Sequence, residues 1–170
     1  MNQFRIYSLI FISPLGQFVV TLEELNGTRL IPIWIGMNEG NSIAMALNGE
    51  KFHRPLTHDL VISILNATGA VIEKVVINDL KENSYYSVIA IKQTGNVLEV
   101  DSRPSDSLAL AARVNCPIFV EEKVLKACPV INKPITEEEV VNFEKEIESI
   151  RPEDFFKRLD EEGGKAEGGL

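Results

Sequence analysis

Cysteine, histidine and tryptophan are scarce in this chain of 170 residues, which has two, two and one of them. Cys116 and Cys128 are too few for a disulfide scaffold and read as the reduced thiols of a cytoplasmic protein. His53 and His58 lie five apart, a spacing that matches no standard zinc motif. No C-x-x-C, H-E-x-x-H, G-x-S-x-G or Walker A motif occurs, so the cysteines and histidines carry no nucleophile signature. No apolar run approaches the ~20 residues of a membrane span. Ile6–Leu15 is apolar and near the start, but it follows a single Arg and precedes no small-residue cleavage site. A cytoplasmic protein with no membrane association is expected.

A surplus of positive charge is also missing. Residues 1–135 hold 12 Lys and Arg against 13 Asp and Glu, whereas residues 136–170 hold 5 against 12. A nearly neutral body with an acidic end argues against tight, non-specific duplex binding, which rests on neutralising phosphates. A local basic patch or a metal-mediated contact stays open. With 45% hydrophobic and 25% charged residues the composition is that of a globular protein, and a chain of this length buries roughly 70% of its unfolded surface.

Periodicity then gives the elements. Arg5–Ser13, Gln17–Glu24 and Thr28–Ile35 read as strands, with Asn26-Gly27 between the last two as a type I′ hairpin signal. A helix capped by Asn38 carries Ile43, Ala44, Ala46 and Leu47 on one side and ends at Asn48-Gly49. After the loop Glu50–Leu56, Thr57 caps a second helix with Asp59 in its first turn and Leu60, Val61, Ile64 and Leu65 as its buried face. Strands Val71–Leu80, Ser84–Lys92 and Val97–Asp101 follow, then a helix over Pro104–Val114, a strand at Pro117–Val120 and a short helix at Glu121–Ala127. The halves look alike: Ser42–Leu47 matches Ser107–Ala112, each after three strands. The expected fold is α+β, a duplicated β-β-β-α unit with mostly antiparallel strands, plus C-terminal helices. Residues 1–130 form the body. Residues 131–160 form an acidic helical segment, in which Thr136 opens a capping box and Val140, Phe143, Ile147 and Ile150 make a stripe. Residues 161–170, with four Gly, form a disordered tail.

Two clusters could carry chemistry. In the first, His58 and Asp59 either bind a metal or simply open a helix. In the second, Asp101-Ser102-Arg103-Pro104-Ser105-Asp106-Ser107 leaves a strand and enters a helix. Arg103 can fork onto a phosphate, and Asp101 and Asp106 can hold Mg²⁺ or Mn²⁺. The same residues also suit a capped helix with Pro in its first turn. At the matching point of the first half, Gly36 and Gly40 permit close backbone approach, and Trp34 fits a core or interface position.

Leu30–Gly36 with Glu39, Arg54–Leu60 and Asp101–Ala111 resemble, in this order, three motifs of the bifunctional nuclease family. Glu137–Phe156 loosely resembles the helical segment that some members share with excision-repair proteins. The resemblance implies a metal-dependent nuclease acting on DNA or RNA. Glu39, Asp59, Asp101 and Asp106 would hold Mg²⁺ or Mn²⁺. His58 would be base or ligand, Arg103 would face the scissile phosphate, and Asp59 and Asp106 would share in catalysis. The alternative is a non-catalytic, oligomeric binding or regulatory module in which these residues cap helices. A homo-oligomer is expected, with the C-terminal helices free to meet a protein partner.

Overall fold

Two-residue turns set the register of the second half. Glu82 and Asn83 have φ of 49° and 60°, and Thr94 and Gly95 have φ of 48° and 85°. Paired positive φ values match the right-handed twist of the strands they join. Strands β4 (Ala70–Lys81), β5 (Ser84–Gln93) and β6 (Asn96–Ser102) therefore form a tight antiparallel meander. In the first half β1 (Asn2–Ile12), β2 (Gln17–Glu24) and β3 (Arg29–Gly36) form another. The expected type I′ turn at Asn26-Gly27 is absent: the loop has four residues, and neither of these two has positive φ. Gly27 is needed there because a Cβ would collide with the Glu24 carboxylate. That carboxylate accepts hydrogen bonds from Arg29 Nε (2.8 Å), Arg29 Nη2 (2.7 Å) and Asn2 Nδ2 (2.6 Å).

The computed structural model describes residues 1–128, 131 and 132, and beyond them only 141, 142, 145 and 151. Apart from those four residues, the expected helices over Thr136–Leu159 and the expected tail lie outside the described residues. The strands make one sheet in the order β6-β5-β4-β7-β1-β2-β3-β8, with β7 at Ile118–Val120 and β8 at Ile131–Asn132. All described pairings are antiparallel except β4 with β7. The fold is thus α+β. Each half runs β-β-β-α in chain order, and the two meanders flank β7, an arrangement compatible with a duplicated unit. Irregular register in β1 and at two points in β4 adds local twist. Trp34 on β3 and Tyr85 on β5 border one pocket, although four strands separate β3 from β5 in the sheet order.

Helices α1 (Met37–Leu47), α2 (Thr57–Ala67) and α3 (Pro104–Val114) cover one side, and α4 (Glu122–Ala127) packs on β4. The main core joins Val20, Leu22 and Ile31 to Ile43 of α1, Leu108 of α3 and Val75 of β4. Each such side chain stabilises the fold by about 1.5–3 kcal/mol. α1 and α3 touch closely because both offer small residues: Ala109 and Ala111 of α3 are fully covered. A second cluster, with Ile12, Val19 and Trp34, fills the other face of the first meander.

Helix starts differ from expectation by one or two residues. The N-caps are Gly36 and Leu56 rather than Asn38 and Thr57. The face of α2 differs more. Leu60, Val61 and Ile64 are exposed, and Ile62 is turned to the core instead. The reason lies in the polar residues at the start of the helix, described below. Among the described residues, no helix is long and apolar enough to cross a membrane.

Two outcomes follow from this packing. A Cβ at Gly40 would lie inside the Phe18 ring, so Gly40→Ala should lower the urea midpoint by the equivalent of about 1–3 kcal/mol, the usual cost of overpacking. The second concerns acid. Hydrogen bonds from Arg29 hold the Glu24 carboxyl below its ordinary pKa. Its stabilisation is complete above the unfolded-state pKa and is lost as pH falls through the lower, folded one. Glu24→Gln should therefore flatten the acid limb of a stability-versus-pH curve measured by urea titration.

Candidate functional site

Three helices open with an acid at their third residue: Glu39 on α1, Asp59 on α2 and Asp106 on α3. A negative charge there faces the positive end of the helix dipole. α1 follows β3 directly and α3 follows β6 after Arg103 alone, so the two strand-to-helix junctions become neighbours once α1 packs on α3. The first turn of α2 lies beside both, because His58 meets residues of α1 and α3.

Arg103, the N-cap of α3, links the junctions. Its Nε and Nη2 donate to the two oxygens of Asp106 at 2.9 and 3.3 Å, and Nη1 donates to Glu39 Oε1 at 3.1 Å. Three of its five N–H donors are thus engaged and two remain, on a side chain that is 67% exposed. The Asp106 carboxylate, then Glu39, hold the guanidinium above its ordinary pKa. Glu39 can lean this way because residue 36 is Gly; a Cβ at Gly36 would strike its carboxylate.

His58 Nε2 lies 3.3 Å from Asp106 Oδ1, and its Nδ1 lies 2.9 Å from Ser42 Oγ. An ionised carboxylate only accepts, so Nε2 carries the proton given to Asp106. In the neutral ring, Nδ1 then accepts from the Ser42 hydroxyl. Asp59 points elsewhere, since neighbouring helical residues are rotated by about 100°. Its Oδ1 accepts from Arg113 Nε at 2.8 Å and its Oδ2 from the Leu56 N–H at 3.0 Å. Arg113, in the last turn of α3 and 9% exposed, also donates to the carbonyls of Ser42 and Ala109. These bonds orient α2 and leave Leu60, Val61 and Ile64 outside.

Of the six residues singled out in the sequence, Glu39, His58, Arg103 and Asp106 converge. Asp59 is adjacent but tied to Arg113. Asp101 does not join them. It is an exposed residue of β6 paired with Val88, and strand alternation turns it away from Ser102, which faces α3. Ser102 and Ser107 bond each other at 2.5 Å, and both bond Ser87 of β5 at 3.0 and 2.9 Å, pinning the end of β6 to the start of α3. Ser42, Arg113 and Ser87 have no signal in the sequence, since each sits inside a regular element and acts across the fold.

The convergent residues stand at a cleft of about 690 Å³, with Asn38, Met45 and Pro55 on its wall. Among the described residues, no three His, Cys, Asp or Glu side chains are placed to hold a metal ion. A protein cage for zinc does not fit this donor set. Two carboxylates, Glu39 and Asp106, do suit Mg²⁺ or Mn²⁺, which Mg-type sites bind through one or two carboxylates completed by phosphate oxygens and water.

The model of the bifunctional nuclease domain matches residues 20–133. The chain belongs to this family. An uncharacterized protein of Mycobacterium tuberculosis is 36% identical over 164 residues, 91% of this chain and 98% of its own length. Bifunctional nuclease 1 of Oryza sativa subsp. indica and the bifunctional nuclease of Oryza minuta are each 25% identical over 126 residues, 72% of this chain but 38% of theirs. The match takes in all three helix starts that build the site.

Arg113→Ala removes the charged partner of Asp59, which keeps only the Leu56 N–H, and a second donor from two helical carbonyls. It should lower stability by about 2–4 kcal/mol, measured by urea unfolding, whereas Asp59→Asn, at a half-exposed position, should cost about 1 kcal/mol or less.

Proposed function

We propose that the protein is a nuclease that hydrolyses phosphodiester bonds of DNA or RNA with Mg²⁺ or Mn²⁺ at the Glu39–Asp106 pair. The observation that carries this reading is Arg103: an exposed guanidinium between two carboxylates, with two free donors, at the mouth of a cleft. Family membership supports a nucleic-acid substrate. Charge explains the need for an ion. Glu39, Asp59 and Asp106 outnumber Arg103 and Arg113 by one, so a bare phosphate would meet a net negative site when His58 is neutral.

When bound, the divalent ion would supply Lewis-acid stabilisation of the phosphoryl oxygens. The protein's own groups do the rest. Arg103 turns its two remaining N–H donors to the phosphate. Asp106 and Glu39 keep the guanidinium at the cleft. His58 steadies Asp106 and can take a proton at Nδ1, now held by the Ser42 hydroxyl. Asp59 acts through helix position, not on substrate. The free thiols Cys116 and Cys128 support a cytoplasmic setting.

A second reading is a non-catalytic, oligomeric binding or regulatory module. The observation favouring it is that every acid of the cluster already has a cationic partner. Exposed Leu60, Val61 and Ile64 on α2 support a homo-oligomer, and the acidic segment after residue 135 would be its contact for a protein partner.

The two readings separate on cleavage of single-stranded and duplex substrates with and without Mg²⁺ or Mn²⁺. Asp106→Asn should lower metal-dependent cleavage by orders of magnitude while changing stability by only about 0.3–1 kcal/mol. Arg103→Lys keeps the charge but loses the planar fork, and should be impaired as well. Wild-type rates in Asp106→Asn would refute its role; no metal-dependent cleavage by the wild type would favour the module.

A further inference from the structure

We infer that the loop between α1 and α2 is a docking element for single-stranded nucleic acid, in which Phe52 stacks on an unpaired base while Lys51 and Arg54 meet flanking phosphates. This rests on the nuclease reading and names the form of substrate that its site would take.

Three concavities lie end to end along α1. The cleft at His58 shares Glu39 and Arg103 with a pocket of about 360 Å³ that is bordered by Trp34 and Tyr85. On its other side it shares Met45 with a pocket of about 410 Å³ that is bordered by Lys51 and Phe52. α1 has 11 residues, so the furrow runs for about 16 Å at about 1.5 Å per residue. At about 3.4 Å per stacked nucleotide, that spans about four or five nucleotides.

The composition of the loop decides what lies in the furrow. Lys51, Phe52, His53 and Arg54 are consecutive and all exposed, and Phe52 keeps 47% of its surface open. None of the ion pairs among the described residues uses Lys51 or Arg54. The arginines of the cluster are engaged with acids, whereas this loop carries two cations beside one acid, Glu50, and Lys51 lines the pocket next to the cleft. A ring between cations is the pattern that binds single strands: the cations follow the backbone and the ring takes a base face. A duplex hides its base faces in the stack and would use only the cations.

The test is fluorescence anisotropy with a labelled 15-nucleotide oligo-dT and a duplex of the same length, with Ca²⁺ in place of Mg²⁺ or Mn²⁺, so that the cleft is offered a cation while a gel run in parallel checks that the probe stays intact. The wild type should bind the single strand more tightly than the duplex. Phe52→Ala and Phe52→Leu should each weaken single-strand binding by about 5- to 150-fold, and Phe52→Tyr should restore it. The double variant Lys51→Ala/Arg54→Ala should flatten the plot of log K against log salt by about 1.4, at about 0.7 per phosphate contact. All these positions are exposed, so unchanged urea midpoints are the folding control. Equal binding of duplex and single strand, no effect of removing the ring, or no oligo-dT binding by the wild type overturns the inference. Ring-dependent binding without metal-dependent cleavage sustains it while the nuclease reading fails; cleavage with binding indifferent to Phe52 does the reverse.

Discussion

The candidate site depends on two guanidiniums that tie three helices together. Helix N-termini carry partial positive charge, and α1, α2 and α3 each answer it with an acid at the third position. Packing the helices together brings three carboxylates into one region, where they repel. Arg113 relieves this from the buried side by joining Asp59 to the carbonyls of Ser42 and Ala109, and Arg103 relieves it from the solvent side by bridging Asp106 and Glu39. One arginine fixes the helices, and the other stays exposed. That division lets a structural solution also present a cation and two carboxylates at a cleft.

The pairing of Glu39 with Asp106 follows from the repeated β-β-β-α order. Both lie three residues after an N-cap, Gly36 in one half and Arg103 in the other. The difference at the cap matters. Arginine at both would place two guanidiniums in the same space, and a side chain at residue 36 would push Glu39 aside. Glycine in the first half and arginine in the second let one guanidinium serve two carboxylates.

Strands, hairpins and the small-residue helices were legible in the sequence because local pattern and tertiary packing agree there. Thr94-Gly95 turns where its residues suggest, and β4, β5 and β6 follow from it. Glu82-Asn83 makes an equally tight turn with weaker chemistry, whereas Asn26-Gly27 makes none, since the Glu24–Arg29 pair shapes that loop. The face of α2 was misread for a similar reason. Its apolar cluster Leu60, Val61, Ile64 and Leu65 was expected inside, but His58 and Asp59 are anchored to α1 and α3 and set the rotation of the helix. For the site, the strand-to-helix motif identified Arg103 and Asp106, and the resemblance added Glu39. Asp101 was placed with them by proximity in sequence, yet the two-residue period of a strand turns it away. Ser42 and Arg113 act from helix interiors on residues 16 and 54 positions distant, and no local pattern encodes such contacts.

The balance of charge bears on how the cluster could work. With its acids and guanidiniums paired, the resting site gains little from a neutral ligand and would repel a bare anion. Under the nuclease proposal, a phosphate arriving with its cation would change both sides at once: Asp106 and Glu39 would turn to the cation and Arg103 to the phosphate. Each exchange replaces one charge-assisted contact by another, so their net cost is small although each alone would be prohibitive. Neither ion would bind well without the other. A cluster whose acids are all paired but which keeps one negative charge in excess would therefore discriminate against free metal and against metal-free phosphate. His58 would keep Asp106 aligned throughout, because its second nitrogen rests on Ser42 rather than on any group that exchanges.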